Sequence, residues 1–194
     1  MVYCVTGSAG HLGSHVVKAL LERGDTVRAL VLPGERCPDY VPGSGHLTEI
    51  EGDVRDASSL MRLMEGCGGE AVVIHCAGIV EITGKSNRRL YDVNVGGTEN
   101  VLSACKQYGA RRLVYVSSVH AIPILPKGQS MREIDAFNPD DVTGPYDKSK
   151  AEATQLVLNA AKGGLDAVCV HPAGIIGPHA NPAAGAARLI SACL

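Results

Sequence analysis

Val2-Tyr3-Cys4-Val5-Thr6-Gly7-Ser8-Ala9-Gly10-His11-Leu12-Gly13 opens the chain after Met1. Residues 2–6 are almost continuously apolar, as in a strand buried on both faces. Glycines follow at positions 7, 10 and 13 in a T-G-x-x-G-x-x-G arrangement. Residues 11–23 then place Leu12, Val16, Ala19 and Leu20 at helical spacing, with Gly24 suited to the C′ position. A strand, a glycine loop and a helix in that order form a cradle for a diphosphate. Gly7 permits the tight turn, Gly10 lets a pyrophosphate approach the backbone, and Gly13 lets the helix pack close to the strand. The helix start, at His11 and Leu12, adds free N–H groups and the positive end of the helix dipole. Gly7, Gly10, His11, Leu12 and Gly13 are therefore candidate contacts to a dinucleotide.

Outward from this unit the pattern repeats. Strands are expected at 26–32, 47–51, 71–76, 112–117 and 167–171. Helices are expected at 59–65, capped by Asp56 or Ser58, and at 87–108, with Leu90, Val93, Val101, Leu102 and Cys105 inward and Gly109 closing it. A further helix starts with Pro145 and runs to 161. A Pro- and Gly-rich loop fills 36–45. Apolar strands alternating with helices predict an α/β fold, a doubly wound parallel sheet of strand order 3-2-1-4-5-6 with right-handed connections.

Composition narrows the field. At 194 residues, 45% hydrophobic and 20% charged, the chain is sized and built for one globular domain. A net charge of −2 offers no basic footprint for nucleic acid. No apolar run is long enough to cross a bilayer, and the start lacks the basic residues of a secretory leader. The seven cysteines contain no C-x-x-C pair, which predicts reduced thiols, a cytoplasmic setting and no metal site. Tryptophan is absent and Phe137 is the sole phenylalanine, so the core is aliphatic.

The second strand bears on the nucleotide. An acid about 20 residues past the glycines commonly holds the ribose of NAD. Val31-Leu32-Pro33-Gly34 carries none, while Arg28 and Arg36 are near and suit a 2′-phosphate. The expectation is NADP ahead of NAD, with Arg28 equally readable as a solvated strand residue. Tyr146 and Lys150 are four apart at a helix start and share a face. An ammonium close to a phenol lowers its pKa from about 10, so that it can exchange a proton with a carbonyl or alcohol. His75 reads as a core histidine, His11 and His15 as backbone-positioning residues, and Arg88-Arg89 and Asp140-Asp141 as solvated charge. His120 is open to a pocket role.

Taken together, T-G-S-A-G-H-L-G (6–13), G-D-V-R-D (52–56), H-C-A-G (75–78), D-V-N-V-G-G-T-E-N (92–100), Y-V-S-S-V (115–119), Y-D-K-S-K-A-E-A (146–153) and H-P-A-G-I-I-G-P (171–178) resemble the extended short-chain dehydrogenase/reductase family. That family includes the NAD(P)-dependent epimerases and dehydratases, dihydroflavonol-type reductases and 3β-hydroxysteroid dehydrogenases. The resemblance implies that Asp53 and Val54 flank the adenine and that Cys76, Ala77 and Gly78 line the ribose–diphosphate path. It implies that Tyr146 is the acid/base, that Ser118 hydrogen-bonds the reacting oxygen, and that Lys150 holds the nicotinamide ribose. Pro172 and Ile175 would pack near the nicotinamide, and Asn94 would support the site.

The first functional expectation is an oxidoreductase that interconverts a ketone or aldehyde and its alcohol. A sugar-nucleotide epimerase is the alternative, and a non-catalytic dinucleotide sensor the second. Val119-His120-Ala121 carries no acidic pair after Ser118, which disfavours dehydration. The expected partner is a small-molecule substrate, and a homodimer is compatible with the sequence. Family members are longer, so residues 1–175 are expected to form the NAD(P)-binding Rossmann domain. Residues 176–194 are expected to begin an incomplete substrate region, with the apolar stretch 186–194 lacking partners.

Overall fold

The computed structural model describes residues 1–81 and 88–179. Six strands form one sheet: β1 (Val2–Thr6), β2 (Thr26–Val31), β3 (Leu47–Glu51), β4 (Ala71–His75), β5 (Arg112–Val116) and β6 (Ala167–Val170). Their order is β3-β2-β1-β4-β5-β6 and every pairing is parallel. The expected topology is observed. Because all strands run one way, the glycine loop after β1, Cys76–Gly78 after β4 and Ser117-Ser118 after β5 emerge on the same carboxyl edge.

Alternation along β1 assigns its residues to two cores. Cys4 faces a large cluster with Leu60, Leu63 and Met64 of α2 (Ala57–Met64), Val101 and Cys105 of α4 (Gly97–Tyr108), and Ala153 and Val157 of α5 (Pro145–Lys162). Val5 faces the other side, where Val17 and Leu20 of α1 (His11–Glu22) pack with Val27 and Ala29.

Two helices differ from expectation. The buried face of α1 is Gly13, Ser14, Val17 and Leu20, not the Leu12, Val16, Ala19, Leu20 stripe, and Ala19 is exposed. The close approach of Gly13 to Gly7 rotates the helix toward its small residues. The helix expected at 87–108 is described from residue 88 as α3 (Arg88–Tyr91), a π-helical turn (Asp92–Gly96) and α4. Such turns are costly and concentrate at functional positions, and this one carries Asn94. Of the two candidate caps for α2, Asp56 is the one used; its carboxylate accepts from the Ser58 N–H at 3.0 Å. The stretch 186–194 lies outside the described residues.

Candidate active site

At the glycine loop the backbone is as tight as the motif requires. Gly7 sits at φ +67°, and a Cβ there would lie 2.7 Å from the Ala77 nitrogen. A Cβ on Gly13 would collide with the Gly7 carbonyl. The Gly10 N–H donates to the Gly7 carbonyl at 3.0 Å, closing the turn in front of the α1 N-terminus. His11 and Leu12 occupy the first turn of α1; the His11 Nε2 lies 3.1 Å from the Pro178 carbonyl oxygen.

Beside the loop is a cleft of about 210 Å³ whose walls include Gly7, Gly10, Asp53, Val54, Ala77 and Gly78. Cys76 is half-buried just behind it, and its N–H donates to the Thr6 carbonyl at 3.2 Å. Glu35, Arg55, Arg89, Ile79 and Val93 also line the cleft; none of the five was a candidate site residue in the sequence. Arg55 forks onto Asp53 at 2.6–3.1 Å, which holds the Asp53 carboxyl below its usual range. Arg89 is thus a wall of the cleft and not a plain solvated charge. A larger hollow of about 480 Å³, between Ile122 and Ile134, contains none of the predicted site residues.

The structure does not bring the two candidate phosphate-binding arginines to this cleft. Arg28 lies early in β2, and its guanidinium donates to the Leu63 and Arg62 carbonyls at 2.7 and 2.8 Å. It ties down the C-terminal end of α2, where free carbonyls attract a cation. Arg36 is almost fully exposed and lies 3.6 Å from Glu49. Neither arginine is among the residues lining the cleft. Glu35, in the loop after β2, supplies an acid on the wall. It escaped notice because it lies beyond the Pro33-Gly34 turn.

Ser118, Tyr146 and Lys150 are all buried, each under 10% exposed, and Ser118 hydrogen-bonds the Tyr146 phenol. Tyr146 is at the start of α5, with Pro145 in the first helical position. Burial raises its phenol pKa, a hydrogen bond from Ser118 lowers it, and the Asp147 carboxylate raises it. The adjacent serine serves another purpose: the Thr154 hydroxyl donates to the Lys150 carbonyl at 2.6 Å, so Ser117 must donate to Thr154, also at 2.6 Å. Lys150 directs its ammonium to the Tyr115 hydroxyl at 3.2 Å and the Val116 carbonyl at 2.9 Å. Burial lowers its pKa to about 8. The net shift of the Tyr146 phenol is upward, because burial outweighs the Ser118 hydrogen bond, and Lys150 is not among the groups that move it.

Asn94 braces the site. Its Oδ1 accepts from the Ile79 N–H at 2.8 Å, and its Nδ2 donates to the Ile79 carbonyl and the Ser149 hydroxyl, both at 3.0 Å. Ser149 in turn donates to the Tyr146 carbonyl at 2.7 Å. The π-helical turn thereby connects the cleft wall to the helix that carries Tyr146. His120 pairs with Asp147 at 3.1 Å and meets the Tyr146 ring edge-on, with centroids 5.7 Å apart. Pro172 accepts from the Val119 N–H at 3.1 Å, close behind Ser118, whereas Ile175 is 38% exposed and is not part of the described cleft wall. Among the described residues no His/Cys/Asp/Glu cluster could hold a metal, six cysteines are free, and no helix is long and apolar enough to cross a membrane.

Known proteins resemble this chain in sequence and fold. Mouse "3 beta-hydroxysteroid dehydrogenase type 7" is 38% identical over 190 residues, covering 91% of this chain and 51% of its own length. A "putative dihydroflavonol 4-reductase" of Synechocystis is 38% identical over 176 residues, covering 91% of this chain and 50% of its own. The chain thus spans about half the length of the curated relatives it matches. Among solved structures, Thermus thermophilus UDP-glucose 4-epimerase in complex with NAD superposes with a TM-score of 0.82 at 28% identity, over 99% of this chain and 61% of that one. The sequence model of the 3-beta hydroxysteroid dehydrogenase/isomerase family matches residues 4–190; sheet order, glycine cradle and sequence agree, and the chain belongs to that family.

Proposed function

We propose that the chain is the nucleotide-binding part of an NAD(P)-dependent oxidoreductase that interconverts a secondary alcohol and a ketone on a small molecule. The observation that carries this reading is the buried Ser118–Tyr146 hydrogen bond, with buried Lys150 one helical turn on and its ammonium against Gly78 of the cleft wall. The residues present fit a dinucleotide: a Cβ at Gly7 or Gly13 would meet backbone, so only glycine leaves the cradle open. Gly7, Gly10 and Gly13, with the N–H groups at His11 and Leu12, would hold the pyrophosphate. Asp53 and Val54 would flank the adenine, and Ala77 and Gly78 the ribose path. When bound, the nicotinamide supplies or accepts the hydride.

The rest is done by the chain's own groups. Tyr146 holds a proton at the substrate oxygen and gives it up as the carbonyl becomes an alcohol, or takes it in the reverse direction. Ser118 bonds the same oxygen and keeps it in line with the phenol. Lys150 offers a charged donor to the nicotinamide-side ribose. Asn94 fixes the distance between the cleft wall and α5.

For the nucleotide, the reading now favours NAD over the NADP expected from sequence. Arg28 and Arg36 are engaged elsewhere, and Glu35 on the cleft wall would repel a 2′-phosphate while accepting from a ribose hydroxyl. Similarity to dehydrogenases and reductases at 38% identity, against 28% for the epimerase, favours net oxidation or reduction over epimerisation.

The test has two arms. Titration with NADH and NADPH should show tighter binding of NADH, and the reverse order would refute the assignment of Glu35. In the parent protein, assayed on 3β-hydroxysteroids, other alcohol–ketone pairs and UDP-sugars, Tyr146→Phe should reduce turnover about a hundredfold or more with cofactor affinity unchanged. Retained turnover would remove Tyr146 from its role.

A further inference from the structure

Tyr115 is the largest fully buried side chain of the described residues, at 1% exposure. A phenol so placed in the middle of a strand needs partners for its hydroxyl, and it has two: the Lys150 ammonium donates to it at 3.2 Å, and it hydrogen-bonds the Thr98 hydroxyl. The same ammonium lies 4.8 Å from the Tyr115 ring centroid. Burial holds the phenol well above its usual pKa, so it stays neutral and its oxygen remains an acceptor.

An ammonium has three N–H donors. Tyr115 takes one and the Val116 carbonyl, at 2.9 Å, a second. The nitrogen itself sits against Gly78, where a Cβ would be only 3.8 Å away, and Gly78 forms part of the cleft wall. The neighbourhood beneath is fixed as well. Thr98 donates its hydroxyl proton to the Asn94 carbonyl at 2.7 Å, so it can only accept from His75 Nε2, 3.1 Å away. His75 Nδ1 must then accept from the Thr6 hydroxyl at 2.7 Å. The neutral His75 ring, tilted at 33° to the Tyr115 ring with centroids 5.6 Å apart, is locked in one tautomer between the foot of the glycine loop and the floor beneath Lys150.

We propose that Tyr115 is a positioning residue for binding of the nicotinamide-side ribose, acting through Lys150. With the Val116 carbonyl it occupies two of the ammonium's donors and leaves the third for the cleft at Gly78. This rests on the dinucleotide reading of the site. It goes beyond that reading in assigning to a buried strand residue a share of the affinity for one half of the cofactor only.

Two probes separate that role from a packing role. NAD carries the nicotinamide-side ribose; ADP carries the adenine half and the diphosphate without it. Calorimetric titration of the Tyr115→Phe chain, which keeps the ring, should show NAD weakened about tenfold or more, as for a lost hydrogen bond to a charged group. ADP affinity should be unchanged, and ADP binding also shows that the variant is folded. In a Lys150→Ala background, Tyr115→Phe should have no further effect on NAD. Equal weakening of both ligands, unchanged NAD affinity, or an undiminished loss in the Lys150→Ala background would overturn the proposal. A native chain that binds neither probe would overturn the dinucleotide reading and this inference with it, a result distinct from the other three.

Discussion

His75 is enclosed, with zero exposure and both ring nitrogens committed to threonine hydroxyls. Desolvation, with the Lys150 charge adding to it, pushes its pKa down from 6.5 to about 3. The sign of the consequence follows from linkage. Between pH 6.5 and 3 the unfolded chain binds a proton at this position that the folded chain refuses, so stability is complete above about 6.5 and declines as pH falls. Urea unfolding from pH 7 to 4 should show that decline, and His75→Gln should flatten it; an unaltered slope would mean that other groups set it. The sequence allowed a core histidine here because it ends an apolar strand. It gave no sign of the Thr6 and Thr98 partners, which come from residues 69 positions before and 23 after. Tyr146 and Lys150 were legible for the opposite reason, since four residues along one helix is a local spacing. Tyr115 meets Lys150 only after β5 and α5 have packed, and Y-V-S-S-V reads as a strand end whichever way the tyrosine points.

Elements were legible where a local signal marks them and illegible where a tertiary contact does. Val2–Thr6 and Leu47–Glu51 are read from sequence to the residue, and the other four strands to within one residue at their C-terminal ends. The π-helical turn at Asp92–Gly96 has no local signal. It forms where Asn94 reaches the Ile79 backbone and Ser149, contacts that span the sheet edge. Arg28 has the same lesson at a helix end: its role was visible as charge, but its direction, onto the carbonyls that close α2, was not. The start of α2 carries its own signal. Asp56 accepts from the Ser58 N–H at 3.0 Å and from the Ser58 and Ser59 hydroxyls at 2.7 and 2.9 Å. Replacing Asp56 by Ala should cost about 1 kcal/mol, measured as a shift of the urea midpoint with the slope unchanged. A loss of only a few tenths would mean that exposed Ser58 takes over the cap.

At the scale of the whole molecule, the two faces of the sheet are not equally covered by the described residues. The Cys4 side carries α2, α4 and α5 over sixteen buried apolar residues, and the Val5 side carries α1 and the loop through Val41 over six. The difference is greatest at the β6 edge. Leu113 of β5 is fully enclosed, while Val168 and Val170 of β6 are 42% and 45% exposed. On the β5–β6 ladder Val168 pairs with Val114 and Val170 with Val116, β6 being the edge strand, whereas Leu113 pairs with both Val73 and Ala167; alanine keeps those backbone bonds, so side-chain burial decides the comparison. Removing side chain beyond Cβ should then give very different results. Leu113→Ala opens a cavity that its neighbours cannot close and should cost about 2–5 kcal/mol. Val168→Ala removes atoms that water already reaches and should stay within about 0.5 kcal/mol. Paired urea unfolding curves on the same chain decide it. Comparable losses at the two positions would mean that Val168 is covered in solution, and that the exposed side of β6 is closed by contacts outside the described residues.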